Sequence, residues 1–422
     1  MARKTKFDRS RLLIGTYCIA DYARSEAHVR DMKNCGIDFL TSAPADPGLL
    51  DNCKKYGIGV VATGILPGWW GGDGDNAGTM AEKIPLEKVR EAADKLNADP
   101  FLKDHPALWG IDAGDEPSAL DFPHYGKLIA LAEELFPDRL VYLNLYPNYA
   151  SVAENTGAQT RSQLGVPTYS DYIDAYMEHV KNDYLCLDNY EFAAGIGRFY
   201  PNLKVAADAC LREGRDFWMV IQVNSSKPDV WLSKDQLRHQ AFTCMAYGAV
   251  ALNWACWTAG WFHNEVLDGE GRKTEQYEKL KTVNAEIRAL EPLYMAYRNT
   301  GTVFLGKKEA ADDAALESGT PVVGTYSNAA FLDVRAGDGC VFALGDMTAR
   351  ENRGNGAGLF LADVTDTKFA GNAGTRSFSF RLAPGYRPIL AGDAEIAGGE
   401  DGVYSVSCPA YAGVMLAAEK QK

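Results

Sequence analysis

The acidic pair Asp115-Glu116 closes the segment Ala113-Gly114-Asp115-Glu116-Pro117, just after the apolar run Leu108-Trp109-Gly110-Ile111. A strand that leaves a core through glycine and ends in acids delivers carboxyls to a surface where protons can be moved. A second acidic group, Asp188 and Glu191 with Asn189 and Tyr190, ends the run Tyr184-Leu185-Cys186-Leu187. Six further strand-like runs end in polar or aromatic residues: Tyr17; Thr41 and Ser42; Trp69 and Trp70; Asn144 and Tyr146; Gln222 and Asn224; and Asn253, Trp254 and Trp257. Acids, amides and indoles dominate these ends. Cleavage of a glycosidic bond needs one carboxylic acid to protonate the leaving oxygen and a carboxylate on the far side of the sugar. Amides bind hydroxyls, and indoles offer a flat apolar floor to the C–H face of a pyranose. On this reading Glu116 is the general acid, Asp188 its partner carboxylate and Asp115 an auxiliary acid. Tyr17, Trp69, Trp70, Asn144, Tyr146, Tyr190, Glu191, Gln222, Asn224, Asn253, Trp254 and Trp257 are the expected substrate contacts. Glu191 has an alternative partner in Arg198.

These side chains need a frame that brings strand ends together. Strand-like runs begin near Leu12, Ile37, Ile58, Leu108, Leu140, Tyr184, Phe217 and Val250, and segments of helical spacing separate them. Ser25 and Ser233 stand at helix starts, and Gly36, Gly57 and Gly214 at helix stops. Eight strand–helix units closed by a long helix from about Glu275 predict a (β/α)8 TIM barrel over 1–298, whose working face is the C-terminal ends of its strands. From about residue 299 to 422 the pattern changes to short alternating runs between Gly, Asp and Asn turns. That pattern predicts a C-terminal all-β sandwich.

Composition limits the alternatives. With 43 basic and 56 acidic residues the net charge is −13, which disfavours nucleic acid and anionic membrane surfaces as partners. No apolar run reaches the length of a membrane span. Nine cysteines, an odd number without a CxxC, read as reduced thiols rather than a disulfide framework. With no signal-like N-terminal stretch this predicts a cytoplasmic protein, or a secreted one trimmed of its signal. The six histidines lack metal spacing, and Gly301–Lys308 resembles a phosphate loop but lacks its final Ser/Thr. Neither a metal nor a cofactor is implied. The implied partner is an oligosaccharide or glycoside, and self-association stays open.

A barrel strand ending in an acidic or amide residue followed by Glu-Pro resembles the clan of retaining glycosidases that includes β-galactosidases and cellulases. The segment Tyr184–Tyr190, the stretch Gln240-Ala241-Phe242 leading to Ala246–Ala249, and a Trp at strand 8 (Trp254 or Trp257) are similar to its β-galactosidase-like branch. The resemblance implies that Glu116 is the acid/base. It also implies a Glu nucleophile at the end of strand 7, where this chain has Gln222, and an amide cannot serve. Three readings follow: Asp188 replaces the missing carboxylate; Asp115-Glu116 supports substrate-assisted cleavage of 2-acetamido sugars; or the barrel binds carbohydrate without cleaving it.

Overall fold

The computed structural model describes residues 5–67, 77–152, 162–258, 260–351, 356–369, 374–399 and 402–421. Eight parallel strands form the first sheet: β1 (Leu13–Tyr17), β2 (Phe39–Pro44), β3 (Gly59–Thr63), β4 (Leu108–Asp115), β5 (Leu140–Asn144), β6 (Tyr184–Asn189), β7 (Asp216–Gln222) and β8 (Ala249–Ala255). Around them lie α1 (Glu26–Asn34), α2 (Pro47–Tyr56), α3 (Met80–Lys83), α4 (Leu86–Ala98), α5 (Phe122–Leu135), α6 (Tyr169–His179), α7 (Phe199–Glu213), α8 (Lys234–Ala246) and α9 (Glu275–Tyr294). The helix boundaries have local causes. Asp46 caps α2 by accepting from the Leu49 N–H at 2.8 Å, and Pro47 opens it. Ser233 and Gln236 form a capping box on α8, and Gly57 and Gly214 end α2 and α7 in the left-handed conformation.

Strand order runs β5-β4-β3-β2-β1-β8-β7-β6, with β1 and β8 paired in register from Leu13–Ala251 to Tyr17–Ala255. The barrel closes between β5 and β6 through a thin seam. One parallel bridge joins Leu145 to Leu187, with the Leu145 N–H donating to the Cys186 carbonyl at 3.0 Å. Below it the Tyr184 hydroxyl accepts from the Leu143 N–H at 3.0 Å and donates to the Val141 carbonyl at 2.9 Å. A side chain thus takes over backbone bonds that a regular ladder would supply.

The lower interior of the barrel is aromatic. Phe7, from the segment before β1, packs its ring against Phe39, Trp109 and Trp218, and Tyr184 stacks on Trp218 at 4.7 Å. Two strand glycines make room for these rings. A Cβ at Gly15 would lie 2.4 Å from the Phe39 ring, and one at Gly59 would lie 2.0 Å from Trp109. The plug leaves only the opposite end open for chemistry.

The chain then enters β9 (Tyr297–Leu305), two residues after α9, and builds an antiparallel domain from β10 (Val322–Val323), β11 (Phe331–Ala336), β12 (Phe342–Ala349), β13 (Ala357–Asp363), β14 (Thr375–Leu382), β15 (Tyr386–Gly392), β16 (Glu395–Gly398), β17 (Val403–Pro409) and β18 (Gly413–Lys420). They form a six-stranded sheet, β10-β9-β12-β13-β18-β15, and a four-stranded sheet, β11-β14-β17-β16, around a core that includes Phe331, Phe342, Phe378 and Phe380. The outer face of the larger sheet packs on α8: Phe304, Phe360 and Met415 share one buried cluster with Phe242, Met245 and Tyr294. Among the described residues no helix is long and apolar enough to cross a membrane.

Candidate active site

The site is built at the C-terminal mouth of the barrel, chiefly by β4, β5 and β6. β4 departs from strict alternation. Its pairings shift register once against β3 and once, between Asp112 and Gly114, against β5. Ile111 and Ala113 therefore pack outward on the helix layer, while Trp109 joins the interior aromatic cluster. Asp112 and Asp115, three residues apart, both act on the Tyr17 hydroxyl. Irregular pairing of this kind re-aims side chains near a working surface.

Asn144 is the pivot. Its Nδ2 donates to Asp115 Oδ1 at 3.1 Å and to Asp188 Oδ2 at 3.1 Å. One amide nitrogen thus holds acids from β4 and β6 with these oxygens within about 6 Å of each other. Tyr17 donates to Asp115 Oδ2 at 3.3 Å, and the Tyr190 hydroxyl faces Asp188. Beneath them Cys186 donates to Asn144 Oδ1 at 3.6 Å. Asp188 and Asn144 are buried, while Asp112, Asp115 and Glu116 are half-buried.

Burial dominates the titration of Asp112, Asp115 and Asp188. It pushes Asp112 up to about 8, with the Asp115 charge adding to the rise and the Gly114 N–H opposing it. It raises Asp115 to about 6, against bonds from Asn144 and Tyr17 that favour the charged form. Asp188 is driven well above the usual carboxylate range by burial and then by the Asp115 charge, despite its bond from Asn144 and the influence of Tyr190. Asp115 and Asp188 titrate as a pair. Burial and the Asp115 charge thus favour the protonated form of Asp188.

Glu116 follows at φ +48°, a left-handed conformation that side chains other than Gly, Asn and Asp seldom adopt. Its N–H donates to the Asn144 carbonyl at 2.9 Å, continuing the β4–β5 ladder. Its charge acts on the hydroxyls of Tyr146 and Tyr149, and Tyr149 also faces Asp188. Cys18 and Ser42, at the mouth ends of β1 and β2, share this left-handed conformation, at φ +63° and +49°. Strained non-glycine residues at three strand ends around one mouth are what a built functional site produces.

The other sequence-predicted contacts divide. Asn253 lies inside the barrel, donating to Thr41 Oγ1 at 2.8 Å. Tyr146 is buried, its N–H bonded to the Tyr172 hydroxyl and its carbonyl to the Tyr169 hydroxyl. Asn224 is buried just beyond β7, with both ends of its amide without a protein partner. Four expected contacts have other partners. Gln222 is fully buried; its Oε1 accepts from the Phe192 N–H at 2.9 Å, and the Gln240 amide clamps its backbone. Trp254 points outward from β8 and donates to Asn284 of α9 at 2.9 Å. Trp257 is fully buried, edge-on to Tyr277 of α9. Glu191 accepts from the Arg198 N–H and pairs with its guanidinium at 3.7 Å. Trp69 and Trp70 lie outside the described residues.

The indole beside the site is Trp261. It is 46% exposed, edge-on over Tyr17 at 5.5 Å and 6.0 Å from Tyr190. It sits in the loop after β8, where no period marks its direction. Asp112, Thr41 and Tyr149 complete the lining, and of these Tyr149 is the one that the strand ends did not point to. Among the described residues no three His, Cys, Asp or Glu side chains have the arrangement of a metal site.

No family model matches the chain, and no curated protein matches it in sequence. In structure it is similar to a family 51 α-L-arabinofuranosidase from Bifidobacterium longum, at TM-score 0.48 and 9% identity over 99% of this chain and 97% of that one. It is also similar to a glucosidase from Croceicoccus marinus, at TM-score 0.43 and 9% identity over 100% of both chains. An intracellular xylanase from Thermoanaerobacterium saccharolyticum gives TM-score 0.43 and 11% identity over 66% of this chain and 98% of that one. Likenesses this distant carry no weight on chemistry, which is argued below from the geometry of the mouth alone.

Proposed function

We propose that this chain is a glycoside hydrolase, with Glu116 as general acid and the Asp115–Asp188 pair, centred on Asp188, as the opposing carboxylate. The observation that carries the reading is the Asn144 amide holding acids from two strands in one mouth, next to the strained Glu116 and below an exposed indole. In the reaction the glycosidic C–O bond breaks and its electron pair stays on the leaving oxygen, which takes the proton of Glu116. The charge shared by Asp115 and Asp188 faces the positive charge that grows at the anomeric carbon. Water supplies the new C–O bond and gives up a proton, so the acid and the carboxylate pair end as they began. Placing Asp188 in this role fits the burial of Gln222, whose Oε1 accepts from the Phe192 N–H. It keeps the Glu116 acid/base role of the β-galactosidase-like resemblance but departs from it at the strand-7 acid and at the strand-8 Trp.

The test is a panel of aryl glycosides and oligosaccharides, including 2-acetamido sugars, offered to the wild type and to Glu116→Gln. Removing a general acid costs on the order of 10²–10⁴ in rate. Release from at least one substrate, lost by that order in Glu116→Gln, supports the proposal. Turnover confined to 2-acetamido sugars and abolished by Asp115→Asn would move the carboxylate role from Asp188 to substrate assistance. Sugar binding without any Glu116-dependent release would leave a binding barrel and overturn catalysis.

A further inference from the structure

Barrel closure places β1 beside β8, and just past their last register pair, Tyr17–Ala255, stand Cys18 and Cys256. In a regular strand Cys18 would face away from Tyr17. Its left-handed φ of +63° turns it back, so that it joins Tyr17 and Cys256 against the same interior cluster. Past that pair the Trp257 N–H donates to the Tyr17 carbonyl at 2.9 Å, holding the two chain segments together beside the cysteines. The two thiols act on each other, and the Ser42 side chain acts on Cys18. A glycine flanks both sulfurs: a Cβ at Gly260 would lie 3.3 Å from Cys256 Sγ and 4.0 Å from Cys18 Sγ.

The two thiols differ in access. Cys18 is the one cysteine of the nine that is not buried. The Cys256 and Ser42 side chains favour its thiolate and pull it below the ordinary thiol range, whereas burial holds the Cys256 thiol protonated. An accessible thiolate next to a buried thiol is the arrangement of an attacking and a resolving cysteine. Adjacent-strand spacing falls within the range that a disulfide spans without moving backbone.

We propose that Cys18 and Cys256 form an oxidisable dithiol at the rim of the site, closed to a disulfide by hydroperoxides. The Cys18 thiolate attacks one peroxide oxygen, the O–O bond breaks, and hydroxide (or alkoxide) leaves with a sulfenic acid on Cys18. Cys256 sulfur then attacks that sulfur, the S–O bond breaks and, with the Cys256 proton, water leaves. Two electrons pass from the thiols to the peroxide. Because Tyr17 bonds Asp115 and directly precedes Cys18, the crosslink ties the redox state of the rim to the wall of the acid cluster.

The experiment uses the full-length reduced protein and hydrogen peroxide, followed by thiol counting in denaturant and peptide mapping without reductant. The expected result is two thiols fewer than the nine, an intact mass lower by two hydrogens, a Cys18–Cys256 crosslinked peptide, and restoration by a dithiol reductant. In Cys256→Ser, peroxide should instead leave an oxygen adduct on Cys18. Mapping the wild type needs no variant to fold. Stable oxygen adducts on wild-type Cys18 without a crosslink, or a crosslink between other cysteines, would overturn the proposal. Neither readout depends on glycosidase activity.

Discussion

At the residue scale, the site gathers buried acids, and burial governs how Asp112, Asp115 and Asp188 answer to pH. A carboxyl whose pKa is raised on folding keeps a proton that the unfolded chain has already lost. Its contribution to stability is complete below the ordinary pKa near 3.8 and disappears as pH climbs through the folded value, about 6 for Asp115 and about 8 for Asp112. The melting temperature should therefore fall between about pH 5 and about pH 9. Asp112→Asn keeps an oxygen for the Gly114 N–H and removes the charge. Its melting temperature should fall less over that interval and exceed that of the wild type at the alkaline end. Equal slopes for the two proteins, followed by differential scanning fluorimetry, would contradict the burial argument.

Residue types drew attention to Asp115, Glu116, Asp188, Asn144 and Tyr190, and the structure joins Asp115 and Asp188 through Asn144. Direction was harder to read. Alternation along β8 puts Asn253 and Trp254 on opposite faces, so an inward Asn253 already sends Trp254 to the helix layer. Gln222 looked like a site amide because buried amides need partners, and its partner proved to be the Phe192 backbone. Asp112 stands with the strand-4 acids in the sequence, but β4 breaks the two-residue period there, so its direction could not be read. Trp261 lies in a loop, where no period exists to be read.

At the scale of elements, the eight strand–helix units were legible from their punctuation. Two strands of the C-terminal domain were not. β15 contains Pro388 and β16 is exposed throughout; both lie at sheet edges, where the buried alternation that betrays a strand is absent. The barrel seam is equally silent in sequence, since it depends on one phenol. Tyr184→Phe strands the Leu143 N–H and the Val141 carbonyl inside the barrel. It should cost about 1–3 kcal/mol in denaturant unfolding. It should also speed amide exchange at β5 and β6 before the remaining strands. Unchanged stability would mean that β5 and β6 do not rely on this bridge.

At the scale of the whole molecule, the barrel and the β-domain share a core. Asn299 and Thr302 donate to the Ala246 carbonyl at 2.9 and 3.0 Å, satisfying the C-terminal end of α8. Gly345 lets β12 approach that carbonyl so closely that a Cβ there would stand 2.3 Å from it. Phe360 and Met415 cover Phe242, Met245 and Tyr294. A chain ending at Ala296 would expose this face. It should aggregate or melt without a cooperative transition, as seen by light scattering and calorimetry. A soluble truncated barrel with a sharp melt would show that the second domain is dispensable for folding.

The central claim is that Glu116 delivers a proton to a leaving oxygen across from the Asp115–Asp188 pair, and leaving-group dependence tests it most directly. With the sugar found by the panel, wild type and Glu116→Gln are compared on an activated dinitrophenyl glycoside and on an alkyl glycoside. The account predicts a loss on the order of 10²–10⁴ for the alkyl leaving group, which must be protonated, and a far smaller loss in the glycosidic cleavage step for the dinitrophenyl group, which need not be. Equal losses on both, or none on the alkyl glycoside, would contradict it.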